Sequence, residues 1–164
     1  MKKLIKSFGY AFSGLWACII YERNFRIHIT AALAVFVFAW LYGVDNVHLA
    51  VLVLTVALVF ITEAVNTSIE KAVDFLSPER SETAKIAKDA AAGAVLLSAI
   101  AAVAVAVMSF NDLDRLSWTF LQLFTMPNLI FTVAYIILSI VFIFCIVPKT
   151  NICLLYTSPS PRDS

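Results

Sequence analysis

The sequence predicts an all-α integral membrane protein, and three observations carry that expectation. Of its 164 residues, 62% are hydrophobic and only 14% charged, which leaves too little polar surface to cover a water-soluble globule. The apolar residues gather into runs long enough, or nearly so, to cross a bilayer, at 27–42, 47–61, 90–108 and 129–147. Cations collect in the connections between alternate runs, the pattern that orients membrane helices. Cys18, Cys145 and Cys153 stand in no pairing or metal-ligand spacing, so neither a disulfide framework nor a zinc site is expected.

Taken in order, the first element is an amphipathic surface helix over about residues 2–20. Leu4, Ile5, Phe8, Phe12, Leu15, Trp16 and Ile19 recur at helical spacing, while Lys2, Lys3, Lys6, Ser7 and Ser13 fall elsewhere. The basic start is not followed by an apolar core and a small-residue cleavage site, so this segment is not read as a removable signal peptide. The first span, about 27–43, is short and needs some tilt or bilayer thinning. Gly43, Asp45 and Asn46 supply the turn after it. The second span, about 47–75, is apolar through Ile61 and then continues in helical period while carrying Glu63, Asn66, Glu70 and Asp74. Leu76 to Asp89 is polar and contains Pro78, and Ser81 offers an N-cap for a third span over about 84–109. That span begins AAAGA, small residues that let neighbouring helices approach. Residues 1–110 thus read as one membrane domain. Beyond it, 111–152 reads as a mixed loop over 111–128 and an extra, fourth span at 129–147, the start of a truncated second domain being one reading of it. The run CLLYTSPSPRD, Cys153 to Asp163, back-translates to the adapter of a transposase-based sequencing library, so 153–164 is set aside as an artefact.

Orientation follows from the cations. Lys2, Lys3, Lys6, Arg23 and Arg26 precede the first span, Lys71, Arg80, Lys85 and Lys88 lie between the second and third, and the other two connections contain only Arg115. Both basic regions are expected on the cytoplasmic side. The unusual polar residues collect there too.

Glu63, Asn66, Glu70 and Asp74 stand at i, i+3, i+7 and i+11, so a helix of about 3.6 residues per turn aligns them on one face. An ionised carboxylate costs at least about 2.5–3.5 kcal/mol at the centre of a span, and such residues are functional by default. Solvent exposure at a helix end accounts for Asp74 and Lys71 but poorly for Glu63. Carboxylates facing basic residues suit phosphoryl transfer: oxygen ligands for magnesium, a base near an acceptor hydroxyl, cations for phosphate charge. Glu22, beside Arg23, Asn24 and Arg26, adds an acid at the same membrane level, and Lys88 and Asp89 open the third span there. No Walker-type loop and no kinase glycine loop occurs, so a nucleotide site here must be built from helices. The rival from another class is a small transporter or proton channel, with the stripe as its relay. It leaves unexplained why the other halves of the helices hold almost nothing polar, since a conduit needs lining through its full depth. A scaffold without chemistry would leave the clustered acids as an unexplained cost. His28 and His48 read as interfacial packing residues.

Three blocks, ERNFRIH at Glu22 to His28, TEAVNTSIEKAVD at Thr62 to Asp74, and AKIAKDAAAGAVLL at Ala84 to Leu97, closely resemble the prokaryotic integral-membrane diacylglycerol kinase and undecaprenol kinase family. The resemblance runs from about Lys3 to Phe110. It implies a homotrimer in the bacterial cytoplasmic membrane, with a surface helix and three spans per subunit and active sites between neighbouring subunits. It implies ATP as phosphoryl donor, Mg²⁺ as cofactor and direct transfer to a lipid hydroxyl. By the same resemblance Glu63 is the catalytic base, Glu22 and Glu70 hold the magnesium, and Asn66 lies with Glu63 beside the lipid substrate. Tyr10, Glu22, Glu70, Glu79, Lys88 and Asp89 line the ATP site, Lys88 and Asp89 around the phosphates and ribose. Glu79, Arg80 and Ser81 replace an E-Y-H found in many members, a departure at the nucleotide contact. The motifs at 22–28 and 84–97 look more like undecaprenol kinases than diacylglycerol kinases, so undecaprenol is the expected acceptor, with diacylglycerol the alternative.

Overall fold

The computed structural model describes residues 2–77 and 81–145, and among them every regular element is an α-helix: α1 Lys2–Tyr21, α2 Arg23–Tyr42, α3 Asn46–Leu76, α4 Glu82–Ser109, α5 Leu113–Gln122 and α6 Asn128–Cys145. Glu79, its neighbours Pro78 and Arg80, and the 153–164 stretch lie outside the described residues. By length and composition α1, α2, α3, α4 and α6 could each cross a membrane. The all-α membrane class holds. α1 is therefore apolar enough to resemble the spans, because its few lysines sit near its start.

The helix ends follow local chemistry. After α2 the chain turns through Gly43 in the left-handed region, φ 75°, and its N–H donates to the Ala39 carbonyl at 3.0 Å. Side chains disfavour that conformation, so glycine makes the sharp turn cheaply. Asp45 then caps α3, its Oδ1 accepting from the N–H groups of Val47 at 2.9 Å and His48 at 3.2 Å. Ser81 caps α4 by accepting from the Ala84 N–H at 3.1 Å.

α3 and α4 form an antiparallel hairpin, with Asp74 opposite Lys88 at one end and Thr62 opposite Ser98 midway, their hydroxyls 2.8 Å apart. Buried Ala91 and Ser98 on α4 are small enough to let the two backbones approach. α2 packs on α3 through buried Ala32 and Ala39 and a Phe25–Phe60 ring contact at 5.4 Å. Most remaining large apolar side chains are exposed, including Trp40, Phe75 and nearly all of α6, the surface a membrane protein gives to lipid or to other subunits.

The expected loop at 111–128 is corrected: residues 113–122 form α5. Asp112 caps it by accepting from the Arg115 N–H at 3.0 Å, and Asp114 sits in its first turn. Leu116 and Thr119 turn inward while Leu113, Trp118, Phe120 and Leu121 stay exposed, and the helix is too short to register as a span. α5 lies against α2, where Arg115 stands over the Tyr42 ring at 5.4 Å. The fourth span is present as α6, running back along α2 so that its last turn reaches Arg26.

Candidate active site

The site grows from two features: the corner between α1 and α2, and the second half of α3. At the corner the helix breaks for one residue. Glu22 is extended, φ −104° and ψ 113°, and its carboxylate makes no cap to α2. It is thereby released toward α3, where Lys71 meets it at 3.0 Å. On α3 the predicted stripe is real and turned inward at its apolar end. Glu63 is 3% exposed, Asn66 is 6% exposed, and Thr67 beside them is buried as well. Glu70 is half-buried, and its Oε1 accepts from Asn66 Nδ2 at 3.2 Å. Glu22 and Glu70 both act electrostatically on Glu63. The other two predicted carboxylates are therefore within electrostatic reach of Glu63, while Asp74 is exposed at the helix end.

Two details mark this cluster as more than packing. Asn66 Oδ1 is buried with no hydrogen-bond partner, an arrangement that costs about 1–3 kcal/mol. No ion pair among the described residues engages Glu63. A buried unpaired acceptor next to a buried carboxylate is chemistry waiting for a donor or cation.

Among the described residues no three His, Cys, Asp or Glu side chains converge as a complete metal cage. Magnesium does not require one: it retains waters and is held by one or two carboxylates plus substrate phosphates. Glu22 and Glu70, two acids reaching the same region from separate elements, fit that role.

The other predicted residues are placed as follows. Lys88 lies on the first half of α4 and donates to Asp74 Oδ1 at 2.9 Å, so its charge is shared with that carboxylate. Asp89 is exposed beside it. Tyr10 is exposed on α1, and Glu79 lies outside the described residues. Sequence reasoning missed two participants. Lys71 is exposed, as expected of a residue at the helix end, and it is also the cation on Glu22. Thr67 is buried on the stripe one residue past Asn66, and its i+4 spacing from Glu63 was the available signal.

Residues 9–110 match the family described as prokaryotic diacylglycerol kinase. A diacylglycerol kinase of Synechocystis sp. is 48% identical over 103 residues, which cover 62% of this chain and 59% of that protein. The undecaprenol kinase of Bacillus subtilis is 34% identical over 110 residues, 67% of this chain and 89% of that one. The diacylglycerol kinase of Escherichia coli K12 is 39% identical over 102 residues, 62% and 83% respectively. The aligned stretch thus spans under two thirds of the Synechocystis protein and most of the other two. All three names denote lipid kinases, phosphotransferases with an alcohol acceptor. α5 and α6 lie beyond the matched family region.

Proposed function

This chain belongs to the prokaryotic diacylglycerol kinase family, and from that premise we propose that it is an ATP-dependent lipid kinase of a bacterial membrane, with undecaprenol as its acceptor. The observation that carries the proposal is the buried pair Glu63 and Asn66, the latter with an unpartnered Oδ1 and its Nδ2 bonded to the Glu70 carboxylate.

In this reading Glu63 takes the proton of the lipid hydroxyl as its oxygen bonds the γ-phosphorus. The bond from that phosphorus to its bridging oxygen breaks in line, ADP leaves, and no phospho-enzyme forms. Asn66 orients the hydroxyl through Oδ1, and the Asn66–Glu70 hydrogen bond keeps acceptor and metal-binding groups in register. Glu22 and Glu70 would hold Mg²⁺, which when bound neutralises charge on the phosphate oxygens. Lys88 and Asp89 flank phosphates and ribose, Lys88 exchanging Asp74 for phosphate, and Tyr10 and Glu79 complete the nucleotide contacts. α1 lies on the cytoplasmic surface of the membrane, and three copies assemble with sites between neighbours.

Undecaprenol is favoured by the blocks at 22–28 and 84–97. The 48% identity to a protein named diacylglycerol kinase supports the second reading, diacylglycerol as acceptor. Both lipids present one primary hydroxyl, so the same carboxylates serve either. The test is transfer of labelled γ-phosphate from Mg-ATP to each lipid by the chain in bilayers, with Glu63→Gln as control. Preferential labelling of undecaprenol, lost in the variant, supports the first reading; preference for diacylglycerol keeps the chemistry and changes the acceptor. No transfer to either by folded protein overturns the kinase and returns the stripe to the transporter reading.

A further inference from the structure

Arg26 is 4% exposed, and its guanidinium is spent entirely on main-chain carbonyls. Nη1 donates to Ile19 O at 3.0 Å and Ile20 O at 2.7 Å, in the last turn of α1. Nε and Nη2 both donate to Ile143 O, at 3.3 and 3.1 Å, in the last turn of α6. No carboxylate pairs with it among the described residues. The α1 carbonyls need such a donor for a local reason: the helix breaks at Glu22, so the N–H groups that would have reached them now belong to α2. A planar cation with a rigid fork of donors answers two helix C-termini at once, and both carry partial negative charge.

The same arginine also closes the corner from the other side. Its backbone N–H donates to the Glu22 carbonyl at 3.4 Å, while the Glu22 N–H donates to Cys18 O at 2.9 Å. Glu22 is thus held by its own two backbone bonds, and Arg26 grips the residues just before it. We propose that Arg26 is a positioning residue for Glu22, and that α6, which lies outside the region matching the family, is the brace against which that positioning is made. This rests on Glu22 being a magnesium-holding carboxylate. A helix that resembles an added anchor would then be part of the site's geometry.

The test uses the full chain in bilayers and compares wild type with Arg26→Lys, which keeps the charge and loses the fork. Tyr135→Phe is the control, because it removes the other tie of α6 to α2, the hydrogen bond from the Tyr135 hydroxyl to the Thr30 carbonyl, without touching the corner. Two quantities are read: the free Mg²⁺ giving half-maximal phosphoryl transfer, and Mn²⁺ binding with a non-hydrolysable ATP analogue, followed by electron paramagnetic resonance. Arg26→Lys is expected to weaken both about tenfold, the scale seen when a partner of a metal ligand is removed, with the KM for lipid unchanged. Tyr135→Phe should leave both unchanged. Lower thermal stability with an unaltered metal requirement would reduce Arg26 to an anchor, and an equal shift in Tyr135→Phe would assign the effect to α6 docking in general; either outcome overturns the proposal. If Arg26→Lys does not fold, Ile143→Gly, which frays the last turn of α6 and leaves the arginine in place, decides: no shift in Mn²⁺ binding rejects the brace. Wild type that binds Mn²⁺ and nucleotide but transfers no phosphate would sink the kinase reading while leaving the clamp testable by the binding shift.

Discussion

The two ends of the bundle are built from the same helices and solve opposite problems. At the end with Gly43, the rings of Phe38, Tyr42 and Phe110 pack at 5.1–6.5 Å, Phe110 meeting the other two edge to face. The Asp112 N–H donates to the Tyr42 hydroxyl at 3.1 Å, and Arg115 covers the ring. The polar groups just named are paired and the three rings packed together. At the end with Glu22, buried Glu63 has no ion-pair partner among the described residues and Asn66 Oδ1 no hydrogen bond. Folding alone rewards the first arrangement and penalises the second. The difference teaches where stability was given up, and such places are where ligands are expected.

The comparison breaks most readily at Glu63. Glu63→Gln should lower phosphoryl transfer by about 10²–10⁴-fold, the contribution of a positioned base, with thermal stability equal or higher because a buried charge is gone. A variant that keeps full activity in the labelled-ATP assay removes Glu63 as base. Next in size, Asn66→Leu keeps the side chain's shape while deleting the orphaned acceptor. Transfer should fall at least about tenfold, while the melting temperature should change little, since removal of an unsatisfied group costing about 1–3 kcal/mol offsets loss of the Asn66–Glu70 hydrogen bond. A large loss of stability would instead make Asn66 a structural residue.

At the other end the signs reverse. Tyr42→Phe removes the acceptor for the Asp112 N–H and should cost about 0.5–1.5 kcal/mol in denaturant or thermal unfolding, with transfer per folded molecule unchanged. An activity change larger than the stability change would couple the two ends and blur the distinction. The smallest effect concerns pH. The His48 backbone N–H, the His48 ring and the Val47 N–H hold the Asp45 carboxyl below its ordinary value of 3.8. A carboxylate depressed on folding contributes stability that is full above its unfolded pKa and is lost as pH falls through the folded value. Wild type should therefore lose slightly more melting temperature than Asp45→Asn as pH falls below 3.8; parallel curves would show that the capping charge adds nothing.

Much of the candidate site was legible because α3 is long and regular. Residues at i, i+3 and i+7 share a face of any helix, so Glu63, Asn66 and Glu70 could be aligned without a structure. Glu22 was noticed as an acid among cations, but its partner Lys71 was not, because a cross-helix ion pair depends on how α1, α2 and α3 meet. Arg26 enters the sequence reading as a positive charge for orientation and as a neighbour of Glu22, but not as a link between two helix ends. Its contacts lie seven residues back and 117 residues ahead, separations with no periodic signature. α5 reads as loop because Leu113–Gln122, although amphipathic, is only ten residues long, too short to register as a span.

What the sequence determined by itself was the solvent, the secondary structure of the long helices and the identity of the polar stripe. Those follow from transfer free energies and helical periodicity, which act within one segment. Only the tertiary structure decided which way the stripe faces, which cation stands on Glu22, and that α6 returns to close the α1–α2 corner. Such choices depend on side chains from different segments competing for the same space and the same hydrogen-bonding groups, and local sequence holds no record of that competition.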